Sequence, residues 1–392
     1  MRNTARWILF FVLMLVVAFP FLQHCFSIYE SGKLNGAVTL AADTKISLRG
    51  WFDGSYQKQK NDYLNDNAGC RPDLVRLNNQ VDFWVFNKLH ANGVVAGKND
   101  FLYEKMYIDE YNGIDFMGDS LVRAMVYKLK KVQDTLDRLG KTFVFMYAPS
   151  KAWYFPDKFP GSLDMNRAGD TTNYATFRRL GDSVGLRQVD FNGWFMGMKD
   201  TSRHLLFSRV GTHWTVYGSL LASDSIIKYM ERERKLQLSH LQWNTIERTE
   251  KSIRTDADLA EGLNLAINFK KELFSYPQYD YIKKDSARPR AIYIGDSFLW
   301  TLIENKLMHN INSDWQVWYY FNVAWNEKAL SGQEPSWEIV KYNWQNDLRD
   351  IDYIITLFTP ANFKGFNYNA SFVEQLYNHY YPDIPNTAKV IL

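Results

Sequence analysis

The residues that can do chemistry in this chain are few. A short apolar strand, "RAIYIGDSFLW", ends in Gly295, Asp296 and Ser297 and turns at once into a helix. A serine at the tip of a buried strand lies where open α/β sheets gather their ligands, and it can act as a nucleophile. Asp296 or Ser297 can equally cap the helix that follows, because both residue types satisfy its orphan amide groups. A neutral hydroxyl is a weak nucleophile until a base removes its proton, so what matters is whether the chain supplies an imidazole. "RVGTHWTVYGSLLASDSIIKYM" supplies one: His213 stands just before an apolar-periodic helix that contains Gly218. A lone histidine there also reads as a structural hydrogen-bonding residue, with Trp214 and Tyr217 as core.

Composition narrows what such a pair can belong to. With 392 residues, 46% of them hydrophobic, the chain can bury one large core or two modest ones. A net charge of +3 without any basic stripe or arginine-rich run gives no expectation of a nucleic-acid partner. Two cysteines, Cys25 and Cys70, cannot make a disulfide framework, and neither lies in a Cys-x-x-Cys spacing. The histidines form no His-x-x-x-His pair, so neither a metal site nor a cofactor is expected.

The N-terminus sets the compartment. Arg2 and Arg6 precede "WILFFVLMLVVAFPFL", and no charged residue follows until Glu30, a run long enough to cross about 30 Å of hydrocarbon as a helix. Basic residues ahead of such a run stay in the cytoplasm, so the rest of the chain is expected outside. No small-x-small site follows closely, which favours an uncleaved anchor over a cleaved signal peptide. The boundaries are therefore a cytoplasmic stub and transmembrane helix at 1–28, a linker at 29–50 and a globular domain at 51–392, with 234–290 a possible insertion.

Beyond the anchor, strands and helices alternate. "CRPDLVRLNNQVDFWVFNKLH" puts Leu74, Leu77, Val81, Trp84 and Val85 on one face of an amphipathic helix. "GVVAGKNDFLYEKMYI" reads as a β-hairpin about a Gly-Lys-Asn-Asp turn. A helix from about Ser120 to Leu139 is stopped by Gly140. "TFVFMYAP", "LRQVDF", "AIYIG", "VWYYFNV" and "IDYIITLFTP" are apolar runs of the kind covered on both faces, and helical stretches separate most of them. The expected class is α/β, a parallel sheet flanked by helices.

"GDSF" together with "GTHWTVYG" resembles the SGNH hydrolase superfamily, and the order histidine first, serine second, resembles its alginate O-acetyltransferase (AlgX/AlgJ-like) branch. The resemblance covers roughly residues 50 to 375 and includes "VVAGKNDFLYEKMYIDEYNG" and "YAPSKAWYFPDKFP". It implies a circularly permuted SGNH fold, in which "TFVFMYAP" and "LRQVDF" are the fourth and fifth strands and "AIYIGDSF", "VWYYFNV" and "IDYIITLFTPAN" the first three. It also implies Ser297 as nucleophile, His213 as base and Asn362, with the Ser297 amide, as oxyanion donors.

One departure stands out: the family carries Asp-x-His-Trp, and the aspartate position is Gly211 here. Either another acceptor orients the imidazole, with Asp190 at the end of "LRQVDF" or a backbone carbonyl as candidates, or the site is weakened. Trp153, Trp214 and Trp300 can stack on sugar rings or simply fill the core. Trp214 is expected to pack beside the histidine, and Lys151, after a strand tip, is the better substrate-binding candidate beside it.

The resemblance implies O-acetyl transfer through a serine acyl-enzyme onto a hydroxyl of an exported polysaccharide, with esterase side activity. The acyl donor would be a membrane-bound O-acyltransferase partner, and the place the periplasmic side of the inner membrane. The alternatives are a carbohydrate acetylesterase of the same fold and a non-catalytic glycan-binding or assembly subunit.

Overall fold

The computed structural model describes residues 2–36, 39–163, 171–284, 288–339, 348–365 and 372–382. Residues 285–287 of the expected insertion and 383–392 of the expected domain lie outside them. The chain divides into two compact units, one of Met1–Asn92 with Leu259–Phe269, the other of Gly93–Asp258 with Lys270–Leu392. Residues 51–92 thus group with the N-terminal helix, and the sheet begins after them.

The first unit is helical: α1 (Arg2–Phe26), α2 (Leu48–Asp53), α3 (Ser55–Asp66) and α4 (Arg71–Phe86). Among the described residues α1 is the helix long and apolar enough to cross a membrane, over Thr4–Phe26 with mean hydropathy 2.3 and none of that window buried. The amphipathic helix forms as α4, but its apolar stripe is not core. Leu74, Leu77, Val81, Trp84 and Val85 are all exposed, while Asn79 and Gln80 are buried. The polar face wins the packing because it has partners: Asn79 Nδ2 donates to Leu263 O, Gln80 Oε1 accepts from Ile267 N, and Arg76 donates to Gly32 O and Lys33 O.

The second unit is built on one sheet. Its main elements are β1 (Val94–Ala96), β2 (Leu102–Glu104), α5 (Asp119–Arg138), β3 (Thr142–Tyr147), α6 (Asn173–Val184), β4 (Gln188–Asp190), α7 (Phe191–Gly197) and α8 (Val216–Arg234). After them come β5 (His240–Thr249), β6 (Phe274–Ile282), β7 (Arg290–Gly295) and α10 (Phe298–Glu304); α9 (Asp258–Gly262), between β5 and β6 in the sequence, belongs from Leu259 on to the first unit. Last are β8 (Asp314–Tyr319), β9 (Val323–Trp325), β10 (Trp337–Glu338), β11 (Tyr353–Phe358) and α11 (Phe372–Tyr380).

The sheet order is β10-β9-β8-β7-β11-β3-β4. From β8 to β4 all pairings are parallel. Counting β7 as the first strand turns this run into 2-1-3-4-5, the doubly wound order, so the permuted reading of the strands holds. The difference lies at one edge, where the chain leaves β8 at Tyr319 and returns as β9 and β10 antiparallel. "VWYYFNV" is therefore a strand and a reversal.

Alternate residues of the central strands feed two separate cores, the signature of a sheet covered on both sides. Val144, Met146, Tyr293, Ile355 and Leu357 pack with Leu220, Ile226 and Met230 of α8 and Phe298 and Leu302 of α10. Phe143, Phe145, Ile292, Ile294 and Ile354 pack with Val122, Leu129 and Leu136 of α5, Phe177 of α6 and Leu376 of α11. The expected hairpin is β1–β2, with Val94 opposite Glu104 and left-handed backbone at Asn99 and Asp100 in its turn. The expected insertion holds a second antiparallel pair, β5–β6.

Candidate active site

Ser297 follows β7 at φ −60°, ψ −18° and makes no capping bond to α10. Gly295 precedes it because β11 runs close by: a Cβ there would collide with Leu357 O and lie 2.9 Å from Leu299 Cδ1. The capping alternative falls to Asp296, whose Oδ1 accepts from Phe298 N at 3.1 Å. Its Oδ2 accepts from Thr359 N at 2.7 Å and from Asn362 Nδ2 at 2.9 Å, tying the tip of β7 to that of β11. Burial pushes the Asp296 carboxyl up, against these three donors and the nearby His213 that hold it down.

The Ser297 hydroxyl is left for the histidine. His213 Nε2 lies 2.8 Å from Ser297 Oγ, and His213 Nδ1 lies 2.6 Å from Asp258 Oδ2. Asp258 Oδ1 accepts from Thr212 N at 2.8 Å, so one carboxylate fixes both the backbone and the ring of the histidine segment. Burial pulls the His213 pKa down, but Asp258, by hydrogen bond and charge, with the charges of Asp296 and Glu104, offsets this and leaves it raised. Glu104 accepts from Thr212 Oγ1 at 2.9 Å, and burial raises its pKa.

Asp190 is not the surrogate orienting group. It caps α7, accepting from Gly193 N at 2.8 Å, and takes a further bond from Tyr174 Oη at 2.8 Å. Nor is a backbone carbonyl the surrogate, since Asp258 fills that role. The reason Gly211 cannot be aspartate is steric. A Cβ there would meet Asp256 O at 2.7 Å, Ser208 Oγ at 2.9 Å and Thr255 O at 2.9 Å. The segment that fills the space beside Gly211 is the one that delivers Asp258. Within the 234–290 segment, "TDADLAEG" has no spacing that marks its last aspartate as a histidine partner.

Lys151, expected to face substrate, is buried and committed to the fold. Its Nζ donates to Leu102 O at 2.7 Å, Arg209 O at 2.6 Å and Gly211 O at 2.8 Å, holding the histidine segment to β2. Burial pulls its pKa down to about 7. Trp214 is fully buried, so its ring offers no face to a sugar. It packs beside the histidine segment as expected, against Phe298 at 5.3 Å, and its Nε1 donates to Thr301 Oγ1 at 2.5 Å. Trp153 is also buried and donates to Glu110 Oε2 at 2.7 Å, while Trp300 packs on Tyr319 and Trp325. Asn362, by contrast, lies in the turn just past β11 and is bonded to Asp296, the residue before the serine.

Residues 94–295 match the profile of a family described as "SGNH hydrolase-like domain, acetyltransferase AlgX". Among solved structures the chain is similar to the O-acetyltransferase domain of Pseudomonas putida AlgJ, with 17% identity, TM-score 0.46, and 73% of this chain and 99% of that one covered. It is similar to Pseudomonas aeruginosa AlgX at 13% identity and TM-score 0.45, over 73% of this chain and 66% of that one. Bacillus cereus PatB1 with a sulfonyl adduct follows at 10% identity and TM-score 0.45, over 71% and 97%. No curated protein matches the chain.

Proposed function

The chain belongs to the AlgX-type SGNH hydrolase-like acetyltransferase family, and from that premise we propose that it passes an acetyl group through Ser297 onto a hydroxyl of an exported polysaccharide. The observation that carries this reading is the relay Asp258–His213–Ser297, with contacts of 2.6 and 2.8 Å. His213 Nε2 takes the Ser297 proton as Oγ bonds to the acetyl carbon, and the carbonyl electron pair moves to oxygen. Asp258 holds Nδ1–H, fixing the tautomer and stabilising the imidazolium that forms. The Ser297 amide and Asn362 Nδ2 receive the oxyanion. Collapse releases the donor's leaving group with the proton from His213. A sugar hydroxyl then gives its proton to His213, attacks the acyl carbon and frees Ser297.

The assembly-subunit alternative drew its force from the glycine at 211. Asp258 meets His213 Nδ1 from another segment, which supports the catalytic reading instead. In this reading α1 anchors the chain in the inner membrane with the sheet unit in the periplasm, and a membrane-bound O-acyltransferase supplies the acetyl group.

The test is direct. Ser297→Ala should remain folded and lose both turnover of a chromogenic acetyl ester and formation of an acetylated peptide containing residue 297 by mass spectrometry. Full turnover in that variant refutes the serine mechanism. Retention in membranes after a high-salt wash, with the N-terminal residues intact, tests the anchor.

A further inference from the structure

The chain leaves β8 through two successive residues in left-handed backbone, Tyr320 at φ 47° and Phe321 at φ 57°. Neither is glycine. Bulky side chains rarely adopt this conformation, and where it persists the surroundings enforce it, often at a functional site. Here Tyr320 N donates to Gly295 O at 2.9 Å and Asn322 N to Tyr319 O at 3.0 Å, pinning the reversal to the strand that carries the serine. The consequence is where the phenol points. Its hydroxyl accepts from Asn362 Nδ2 at 3.5 Å, and the Ser297 side chain is close enough to help hold its raised pKa down. The ring rests edge-on against Tyr319 with 39% of the residue exposed, so it borders both the site and solvent.

We propose that Tyr320 is a catalytic residue of the acyl-transfer reaction, its hydroxyl donating a hydrogen bond to the oxyanion of the tetrahedral intermediate beside Ser297 N–H and Asn362 Nδ2. The inference rests on the serine mechanism above. A phenol beside Asn362, on a reversal bonded to the strand end that carries Ser297, borders the space in which that oxyanion forms, since Asn362 is itself one of its donors. Burial, with the charge of Asp296, keeps the phenol protonated, so it donates without losing its proton. In the resting site the same hydroxyl accepts from Asn362 Nδ2, and its own proton is free to turn to the stronger acceptor as charge develops.

The experiment compares Tyr320→Phe and Tyr320→Gly with wild type and Ser297→Ala in the full-length protein, by steady-state hydrolysis of a chromogenic acetyl ester and by thermal melting. Tyr320→Phe keeps the ring and should lower kcat by about ten- to a hundredfold, the scale of a lost oxyanion donor or somewhat below it. KM should stay within about twofold and the melting temperature should not move. Tyr320→Gly removes the left-handed strain and should lose the same rate without losing stability. Wild-type kcat in both variants overturns the assignment, as does a rise in KM with kcat unchanged, which would make Tyr320 a binding contact. If Ser297→Ala keeps full activity, the serine mechanism itself fails, and the tyrosine with it. Loss in Ser297→Ala alone removes only the tyrosine.

Discussion

Ser297 and Asn362 stand at the ends of β7 and β11, neighbours in a parallel ladder that runs from Ala291 opposite Tyr353 to Gly295 opposite Leu357. His213 stands on a stretch with no such ladder, only the isolated bridge of Phe207 to Trp214. What replaces it is a set of buried polar ties. Ser208 Oγ donates to Asp256 O and accepts from Gly211 N, Lys151 collects three carbonyls, Asp256 Oδ1 accepts from Val216 N, and Asp258 holds Thr212 and His213. One half of the site is placed by the backbone of a sheet and the other by side chains from distant segments. Backbone ladders survive most single substitutions, whereas a buried tie that loses one partner leaves the other unsatisfied. The histidine half should therefore be the fragile one.

The largest effect that separates the halves is expected at Asp258. Asp258→Asn should cut kcat for an acetyl ester by about 10⁴-fold while circular dichroism stays native, because the wrong tautomer is then held. A loss under tenfold would mean that the imidazole is oriented by something else. On the serine side Asn362→Ala should cost about 10²- to 10³-fold in kcat, the effect of one missing oxyanion donor. Unchanged kcat would leave Asn362 as a tie to Asp296 and nothing more.

Stability discriminates next. Gly211→Ala should destabilise by about 1 to 3 kcal/mol, since its Cβ meets two backbone carbonyls that cannot move freely. Gly211→Asp should be worse, because the carboxylate then faces those oxygens. Denaturant titration measures both, and a stabilised Gly211→Asp would refute the steric account.

The pH profile sharpens the comparison further. The base must be neutral to accept a proton, so activity falls on the acid side as His213 becomes protonated. With its pKa raised, the acid limb of kcat/KM should lie above the ordinary histidine value of about 6.5. Asp258→Asn should move what activity remains to a lower limb, and a limb that stays in place would uncouple the two residues. The smallest effect is expected at Asp190. Asp190→Asn should leave kcat unchanged and cost at most about 1 kcal/mol, as a helix cap replaced by another good cap. A crippled Asp190→Asn would return that residue to the relay.

Local patterns were legible wherever one segment decides its own structure. The apolar runs became β3, β7 and β11 because a strand buried on both faces needs apolar side chains on both. Gly140, at φ 72°, ends the α5 segment as expected. The stripe on α4 shows the limit. Its spacing states which residues share a face and not which face finds a partner, and here the partners came to the polar side.

The residue types at the strand tip and the helix start single out Ser297 and His213 as candidates and the family resemblance adds Asn362, because each lies in a motif whose geometry is local. The partner of His213 was not legible. Asp258 lies 45 residues on, and its approach depends on how the loop between β5 and β6 packs against Gly211. Lys151 and Trp214 were visible as residues but not as roles, since a lysine or an indole at a strand tip serves substrate or fold according to whether it is covered. Burial and long-range pairing are properties of the assembled chain. Only the tertiary structure decided that Lys151 would satisfy three carbonyls, that Asp190 would cap a helix, and that the carboxylate against the histidine would arrive from outside its motif.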